Sequence, residues 1–464
     1  MGENTSSRLH VIKKGLDLPI MGEPQGDVKP AGTVTKVAVV AEEFAGMRPR
    51  MHIQLGDVVK RGQLLFEDRK TPGVRFTAWG AGKVVEINRG ERRKLLSVVI
   101  DLDDSERSGT PLEMTYESFT GKPTAELTGS QVRALMQEMG RWVALRSRPF
   151  DKVPAGDAEA APIFVTAIDT RPLAPSPEKI LAGKEEFFLE GLKALAKLAE
   201  GKPVYLCVAA GSSLNGDGIP GVQTHQFKGP HPAGLAGTHI NLLDPVHLGK
   251  SAWTIGYQDV LALGFEVKTG KMYVNRCFSL AGPQVDEPSI LEARLGAMVD
   301  PLLEGSLKPG ENRVIAGSVF YGLTAMGPVM GYLGFYTNQV SVIAEDRERK
   351  FLGWLAPGGN IFSVMPLFLS WLTRRGMKMP FTTNTFGSGR SIVPFGVFEE
   401  VMPLDLMPTF LLRALLSKDL ELADDLGVLE LAEEDLSLCT FVCPGKNDYG
   451  PALRDMLTRI EKEG

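Results

Sequence analysis

The hydrophobic positions of this chain follow a two-residue period over residues 34–102. "MHIQLGDVVKRGQLLFED" alternates apolar and polar residues, and "FTAWGAGKVVEINRG" adds a strand, a glycine turn and a second strand. Alternation of this kind predicts half-buried β-strands, and the glycines between short runs predict tight turns. Short strands at close spacing are typical of a small sandwich or barrel. We therefore predict an all-β module at residues 1–110.

The order of elements within this module is informative. A Gly-Asp turn precedes the strand "VVKRGQLLF", and the hairpin "GAGKVVEI" follows it. This order resembles a barrel-sandwich module of the biotinyl/lipoyl type. We expect such a module at the N-terminus.

A helical period begins after residue 110. "TGSQVRALMQEMGRWVALRS" spaces its apolar residues for a helix, with Thr128 or Ser130 as the N-cap. The Pro- and Ala-rich stretch "RPFDKVPAGDAEAAP" follows and indicates a domain boundary. We predict a helical connector at residues 111–160.

Residues 161–305 alternate between the two periods. The apolar runs "APIFVTAID" and "PVYLCVAAG" predict buried strands, and a helix that ends at Gly201 lies between them. A strand, a helix and a strand in this order form a βαβ unit, which implies a parallel sheet. The helix places Phe188, Leu192 and Leu195 on one face.

Two further segments complete the predicted organisation. The runs "NRVIAGSVF", "QVSVIAED" and "RKFLGWL" predict a second small β-rich unit at residues 306–375. Helical patterns such as "PTFLLRALLSKDLELADDLG" predict a helical domain at residues 376–464. The predicted fold class is therefore multi-domain, with α/β and β parts mixed.

Two stretches without charged residues bear on whether the chain crosses a membrane. Residues 314–344 and 351–373 both exceed the roughly 20 residues that a spanning helix needs. Glycine and proline interrupt both stretches, and such a backbone leaves polar groups unsatisfied in lipid. We expect no transmembrane helix and interpret both stretches as buried parts of a folded domain.

Composition narrows the classes of function. Hydrophobic residues make up 43% and charged residues 23% of the chain, and the net charge is -5. This balance disfavours nucleic acid as the main partner, because phosphate binding needs a basic surface. Four cysteines and an N-terminus without an apolar core predict a reducing, cytoplasmic location.

Two short motifs have the spacing of cofactor sites. "GDGIPG" at residues 216–221 has the glycines of a dinucleotide fingerprint, but Pro220 interrupts it and further prolines prevent a following helix. Cys439 and Cys443 could stand one helical turn apart, but zinc or an iron–sulfur cluster normally needs four protein ligands. We interpret the cysteines as packed thiols and expect no metal or cofactor in this chain.

Four of the six histidines lie between His225 and His247. Their spacings of six, eight and eight residues match no zinc motif. The prolines and glycines of "KGPHPAGLAGTH" predict a rigid loop after a sheet strand, where ligands and partners often bind. Metal binding and acid–base catalysis stay open as alternatives to a structural or partner-facing loop.

Long stretches across the chain share the pattern of one family. They are "IKKGLDLPIMGEP", "GMRPRMHIQLGDVVKRGQLLFEDRKTPGVRFTA", "ALRSRPFDKVPA", "GPHPAGLAGTHI", "RVIAGSV", "VMPLDLMPTFLLRALL" and "LCTFVCPGKNDYGPALRDMLTRIEKEG". Together they resemble the NqrA family, the A subunits of sodium-translocating NADH:quinone reductases, from about residue 11 to the C-terminus.

The resemblance implies a fold and a setting. The fold would comprise the barrel-sandwich module, a Rossmann-like sheet at residues 161–305, a β-grasp (SLBB-like) module at 306–375 and the C-terminal helical domain. The setting would be a respiratory complex of the bacterial inner membrane that passes electrons from NADH to ubiquinone and pumps Na⁺. The A subunit would be peripheral, on the cytoplasmic side, and would dock on the membrane-embedded B subunit.

The resemblance also implies where the redox chemistry resides. FAD, FMN and iron–sulfur centres would belong to the partner subunits, in the set B to F, and ubiquinone would be the substrate. The chain would thus be part of an oxidoreductase without a catalytic site of its own. Relatives of the family carry a glycine-rich flavin loop and a cysteine cluster, and this sequence has neither.

In this family, the A subunit is associated with quinone interaction. A quinone headgroup needs hydrogen-bond donors and its tail needs an apolar slot, so we expect residues 314–344 and 351–373 to supply walls. Two alternatives stay open: a scaffold that binds no quinone, and a stand-alone NAD-dependent enzyme that binds nucleotide at residues 216–221. The expected contacts with quinone or a partner are Arg148, Phe150, Gly229, His231, Pro232, Gly234 and His239.

Overall fold

The computed structural model describes residues 8–348, 357–359, 361–373 and 376–463, and its strands form four sheets. The strands are β1 (Leu9–Val11), β2 (Gln25–Pro30), β3 (Lys36–Val40), β4 (Pro49–Met51), β5 (Val58–Val59), β6 (Leu64–Asp68), β7 (Arg75–Thr77), β8 (Gly82–Arg89), β9 (Leu95–Leu102), β10 (Arg146–Arg148), β11 (Ile163–Ala167), β12 (Val204–Ala209), β13 (Val222–Lys228), β14 (Ala252–Gly256), β15 (Asn275–Ala281), β16 (Ser289–Arg294), β17 (Asn312–Gly317), β18 (Gly322–Thr324) and β19 (Gln339–Ala344).

Helices connect and cover these sheets. The described α-helices are α1 (Asp104–Arg107), α2 (Gly129–Met139), α3 (Pro177–Leu181), α4 (Glu185–Leu198), α5 (Ala236–Leu243), α6 (Tyr257–Thr269), α7 (Val299–Leu303), α8 (Gly327–Met330), α9 (Leu369–Thr373), α10 (Val397–Val401), α11 (Pro408–Ser417), α12 (Leu420–Asp425), α13 (Ser437–Val442) and α14 (Tyr449–Glu463).

The first sheet has the order β1-β13-β12-β11-β14-β10. Its strands run parallel from β1 to β14, and β10 is antiparallel to β14. In chain order β11 to β14 therefore take the spatial order 3-2-1-4, which is that of a Rossmann-like half. Helices α4 and α6 cover one face of this sheet, and α5 covers the other. The parallel sheet predicted from the βαβ pattern is confirmed.

Local sequence explains where α2 begins and how closely α4 packs against α6. Thr128 caps α2 and forms a capping box with Gln131, as the N-cap prediction anticipates. Gly191 lets α4 approach α6 closely, because a Cβ there would lie 1.9 Å from the carbonyl oxygen of Val260. The apolar face predicted for α4 is confirmed by the buried side chains Phe188, Leu192 and Leu195.

The second sheet has the order β18-β17-β19-β15-β16-β2. Strand β15 is parallel to β19 and antiparallel to β16, while β2 lies parallel beside β16. The predicted limits 161–305 and 306–375 therefore cut through this sheet, because β15 and β16 precede the limit and pair with strands beyond it. The predicted strand "RKFLGWL" lies outside the described residues.

The N-terminal module consists of two small antiparallel sheets, ordered β3-β9-β8-β5 and β4-β6-β7. Their inner faces share one core, in which Phe66 stacks on Phe76 with ring centroids 4.6 Å apart. The all-β prediction for this region is thus confirmed. The segment before β3 departs from the predicted module 1–110, since β1 and β2 pair with the two larger sheets.

The C-terminal domain is helical, as predicted, and is built from α10 to α14. Phe398, Leu412 and Tyr449 are fully buried in its core. Cys439 and Cys443 lie in the same core with 0% exposure, and Cys443 Sγ is 3.2 Å from the Tyr449 hydroxyl. The two cysteines are therefore packed thiols.

None of the helices in the described ranges combines the length and the hydropathy that a bilayer crossing requires.

A buried network of four charges joins the connector, α6 and the second sheet. Arg141 binds Glu266 at 2.7 Å and Asp259 at 3.2 Å, and Arg276 binds the other oxygen of Asp259 at 3.1 Å. All four side chains are at most 4% exposed. Arg276 also donates to the backbone of Thr337 at 3.1 Å. The network holds elements that are far apart in sequence at fixed positions.

Removing Arg141 tests this network. Arg141→Ala leaves Asp259 and Glu266 buried with too little positive charge, so we expect a loss of about 3–5 kcal/mol in the free energy of unfolding. Arg347→Ala is the matched control, because Arg347 pairs with Glu311 at the surface and should leave stability near the wild-type value. Denaturant titration of both variants measures the difference, and equal stability would contradict the role of the network.

Glu43 attaches the N-terminal module to the second sheet. Its Oε2 accepts a 2.7 Å hydrogen bond from the backbone of Phe335. Gly334 makes room for the carboxylate, because a Cβ there would lie 2.0 Å from Oε1. Desolvation raises the pKa of Glu43 to about 7, although backbone N–H groups and arginines oppose the shift.

This pKa makes stability depend on pH. In the folded chain Glu43 keeps its proton up to about pH 7, whereas an unfolded glutamate loses it near 4.3, so stability falls as pH rises between these values. Glu43→Gln should therefore gain roughly 1–2 kcal/mol more at pH 8 than at pH 4, where both states keep the proton. Thermal unfolding at both pH values measures this. Glu42→Gln, at the exposed neighbour, is the control, and equal gains for both variants would refute the assignment.

Candidate functional site

A cavity of about 140 Å³ lies at the carboxyl ends of β11 and β14. At this point the order of the first sheet reverses, since β12 and β13 extend to one side of β11 and β14 lies on the other. Open α/β sheets bind ligands in this crevice. Thr166, Asp169, Thr254 and Tyr257 line the cavity from the two strand ends.

Charged side chains dominate the cavity wall. Four guanidinium groups face five carboxylates, so their charges nearly cancel. Such pairing is needed because an isolated buried charge loses its hydration without compensation. The arginines are Arg146, Arg148, Arg171 and Arg276, and the acids are Asp151, Asp169, Asp259, Glu434 and Asp435.

The C-terminal domain closes one side of the cavity. Its 3-10 turn Glu433–Leu436 places Glu434 and Asp435 against two of the arginines. Arg171 binds Glu434 through two N–H···O bonds, of which the one from Nη2 is 2.7 Å long. Arg148 Nη1 donates to Asp435 at 2.9 Å. Charge-assisted bonds of this kind fix the helical domain against the first sheet.

Two buried donors on the wall make no hydrogen bond to any described residue: Arg148 Nε and Tyr257 Oη. Arg148 Nε lies 3.4 Å from Asp151 Oδ1, without the geometry of a hydrogen bond. The neighbouring amide of Gln258 is already used by Cys277, which it bonds at 2.7 and 2.9 Å. An unmade buried hydrogen bond costs about 1–3 kcal/mol, so both donors suit a ligand that accepts hydrogen bonds.

The charge-free stretch 314–344 forms a third side of the cavity. Tyr321, Tyr336 and Asn338 from this stretch line the wall. The guanidinium of Arg146 lies 5.0 Å from the centroid of the Tyr336 ring, a favourable cation–π distance. The wall thus combines aromatic faces with hydrogen-bonding groups.

Burial and ion pairing determine the protonation of the turn Glu433–Leu436, called the closing turn below. Burial opposes ionisation of Glu434, but Arg171 outweighs it and holds the pKa of Glu434 below its ordinary value. Burial raises the pKa of Asp435 even though Arg148 opposes the shift. Burial likewise raises the pKa of Asp169. Pairing thus favours the charged form of Glu434, whereas burial disfavours the charged form of Asp435.

The histidine loop after β13 is folded inward. His231 and His239 are 1% and 0% exposed. Nδ1 of His231 lies 3.2 Å from Thr170 Oγ1, and its ring stacks on Phe320 with centroids 5.5 Å apart. Nε2 of His239 lies 3.0 Å from the carbonyl oxygen of Ala233. Both imidazoles thus contact the protein's own core.

Backbone contacts give this loop its shape. A Cβ on Gly229 would lie 2.2 Å from the carbonyl oxygen of Ile12, and one on Gly234 would lie 2.7 Å from the amide nitrogen of Thr170. The peptide bond before Pro232 is cis. Only small residues fit where the loop touches these segments.

Burial favours the neutral form of three of these histidines. It lowers the pKa of His225 and of His231 to about 4 and that of His239 to about 3. In the described part of the chain no group of three or more His, Cys, Asp or Glu side chains is placed to hold a metal ion. The segment "GDGIPG" leads directly into β13 and not into a helix.

The structure separates the predicted contact residues. Arg148 lines the cavity, whereas the other six, all of them described, do not. Phe150 packs against the core of the C-terminal domain, and its carbonyl accepts a 2.7 Å hydrogen bond from Arg454 Nη1. His231 contacts Phe320 of the second sheet.

Of the residues that line the cavity, only Arg148 was among the contacts expected from sequence. Asp169 and Arg171 follow β11 directly, and Tyr257 follows β14, so polar residues at strand ends were the available signal. Glu434 and Asp435 gave no such signal, because they reach the cavity from another domain.

A multidomain α/β protein with a Rossmann-like sheet and a polar cavity at its switch point is the class that fold and site define. Three family descriptions match successive parts of the chain. The NqrA N-terminal barrel-sandwich hybrid domain matches residues 10–103, the NqrA second alpha/beta domain 127–272 and the NQRA C-terminal domain, of SLBB type, 278–327. These matches confirm the predicted barrel-sandwich, α/β and SLBB-like modules.

Curated relatives match over nearly the full length. The A subunit of the Na(+)-translocating NADH-quinone reductase of Histophilus somni (strain 129Pt) is 50% identical over 98% of this chain and 99% of its own. The subunits of the same name from Vibrio anguillarum and Saccharophagus degradans are 50% and 51% identical, with the same coverage. The chain belongs to the NqrA family, the A subunits of Na(+)-translocating NADH-quinone reductases, which confirms the resemblance.

A substitution at Gly237 tests the close contact between α5 and Asp435 of the closing turn. A Cβ at this position of α5 would lie 2.3 Å from Asp435 Oδ1. Gly237→Ala should push Asp435 away from Arg148 and cost about 1–3 kcal/mol through overpacking, against a gain of about 1 kcal/mol in helix propensity. We expect a net loss in thermal unfolding. Gly218→Ala, with no atom within 4 Å of its Cβ, is the control, and equal melting temperatures would contradict the close contact.

Proposed function

We propose that this chain is the peripheral A subunit of a Na⁺-pumping NADH:ubiquinone oxidoreductase, on the cytoplasmic side of the bacterial inner membrane. The near full-length identity of 50% with subunits of that name supports the role. We propose that the other subunits, B to F, are its partners and that the membrane-embedded B subunit is the one on which it docks. FAD, FMN and iron–sulfur centres would lie in those partners, and the chain would contribute to the respiratory chain without a catalytic site of its own.

We further propose that the cavity at the ends of β11 and β14 contacts the quinone headgroup. The observation that carries this proposal is the pair of buried donors without hydrogen-bond partners, Arg148 Nε and Tyr257 Oη. A quinone is neutral and has two carbonyl oxygens that each accept a hydrogen bond. One donor for each carbonyl would satisfy groups that are otherwise left unpaired.

Aromatic side chains next to the cavity suit the rest of a prenylated quinone. Phe320 adjoins Tyr321 of the cavity wall and stacks on His231. Phe441 of α13 meets Phe320 with ring centroids 5.1 Å apart, and Phe362 lies 6.2 Å from Phe441. We propose that this column of rings is the apolar surface for the tail, with His231 stacked on Phe320 and Phe150 in the same apolar cluster. Gly229, Pro232, Gly234 and His239 stay proposed contacts with quinone or a partner.

A scaffold that binds no quinone is the second candidate. The observation that favours it is the extent to which cavity groups already bind one another, as in the pairs Arg171–Glu434 and Arg148–Asp435. In the assembled complex, the two candidates predict different kinetics. A normal KM for quinone in a complex that carries Tyr257→Phe would favour the scaffold, and a raised KM would favour quinone contact.

Quinone binding to the purified chain tests the proposal directly. Tyr257→Phe removes one donor and keeps the ring, so we expect affinity for a short-chain ubiquinone to fall about 3- to 10-fold. Tyr116→Phe is the matched control, because Tyr116 Oη is also buried without a hydrogen bond but lies outside the cavity. Titration calorimetry gives both affinities.

Two results would count against quinone contact in the cavity. One is wild-type affinity in Tyr257→Phe, and the other is an equal loss in the Tyr116→Phe control. Substitution of Arg148 or His231 by Ala extends the test to the donors expected from sequence, and unchanged affinity would remove either residue from the site.

A further inference from the structure

The cavity has the position and the side chains of an anion site. Arginine forks match the geometry of phosphate and carboxylate oxygens, and four of them line a crevice at a topological switch point. Two of the four, Arg148 and Arg171, face the C-terminal domain. By position and chemistry alone, a phosphate-bearing ligand would be expected to bind here.

Arg148 and Arg171 already form hydrogen bonds with carboxylates of the same chain. Both oxygens of Glu434 accept from Arg171, at 2.5 and 2.7 Å. Asp435 accepts from Arg148 Nη1 at 2.9 Å. Each acid therefore holds the guanidinium positions that the oxygens of a bound phosphate would use.

The remaining charges leave no positive excess. Asp169 pairs with Arg171 at 3.0 Å, and Asp259 pairs with Arg276 at 3.1 Å. The wall as a whole carries one carboxylate more than it has guanidinium groups. An anion entering the cavity would meet a neutral to negative wall, which opposes its binding.

We infer that Glu434 and Asp435 set the ligand class of this cavity: they exclude phosphate-bearing ligands and leave it to neutral hydrogen-bond acceptors. The two acids act by occupying Arg171 and Arg148 from the C-terminal domain. What they leave without a hydrogen bond are the donors Arg148 Nε, which has only an ion-pair contact with Asp151 at 3.4 Å, and Tyr257 Oη. Each of the two serves one carbonyl oxygen. This inference rests on the proposed function in one respect, namely that the neutral acceptor is a quinone.

The inference is tested with the double variant Glu434→Gln and Asp435→Asn in the full chain. Neutral amides of the same size keep the packing and release two guanidinium groups. Titration calorimetry with inorganic pyrophosphate should show no binding to the wild type at millimolar concentration and at least tenfold tighter binding to the double variant. Affinity for a short-chain ubiquinone should fall or stay the same.

Glu433→Gln is the matched control. Glu433 belongs to the same turn and also forms a paired bond with an arginine, Arg454, at 2.5 and 2.7 Å. It does not line the cavity. Its substitution removes one negative charge from the turn without releasing a cavity arginine, so it should not produce pyrophosphate binding.

The outcomes are distinct. Pyrophosphate binding by the wild type that matches the double variant, or a folded double variant that still excludes pyrophosphate, overturns the inference. An equal gain in Glu433→Gln also overturns it, since net charge alone would then explain binding. Should the double variant fail to fold, Glu434→Gln alone and the wild-type titration decide. Gained pyrophosphate binding without any quinone binding supports the inference and refutes the proposed quinone site.

Discussion

The shared pairing of Asp259 is the constraint on which the arrangement of domains depends. Its two carboxylate oxygens bind Arg141 of the connector and Arg276 of β15, at 3.2 and 3.1 Å. Because these charges are fully enclosed, each must keep its partner or bear a large desolvation cost. The connector, α6 and the second sheet therefore cannot shift independently. The cavity inherits this rigidity, since Asp259 and Arg276 form part of its wall.

The closing turn adds a second constraint with a different origin. Arg171 reaches the C-terminal domain from the loop after β11, and Arg148 reaches it from the last position of β10. The two arginines bind adjacent residues of one turn. Two neighbouring bonds of this type resist rotation as well as separation. The helical domain is thus positioned by electrostatics at the cavity and by apolar packing around Phe150. The site exists only where the two domains meet.

This division explains what sequence could predict. The βαβ unit, the α4 face with Phe188 and the cap at Thr128 depend on local periodicity, and the structure reproduces them. Arg148 could be singled out within a long family-like stretch. The pairing of β15 with β19 could not be predicted, because several elements separate the two strands in sequence. The contact between Glu434 and Arg171 could not be predicted either, because the two residues are more than 200 positions apart. His231 likewise packs on Phe320, which lies in the turn between β17 and β18 of the second sheet.

The same guanidinium links the cavity to the position of the C-terminal domain. Arg148, which lines the cavity, donates from Nη1 to Asp435 at 2.9 Å, while Nε of the same planar group has no hydrogen bond and lies 3.4 Å from Asp151 Oδ1. Because the guanidinium fork is rigid, the direction of Nε and the direction of Nη1 toward Asp435 are fixed together. The orientation of Nε at the cavity wall and the attachment of the helical domain therefore depend on one side chain.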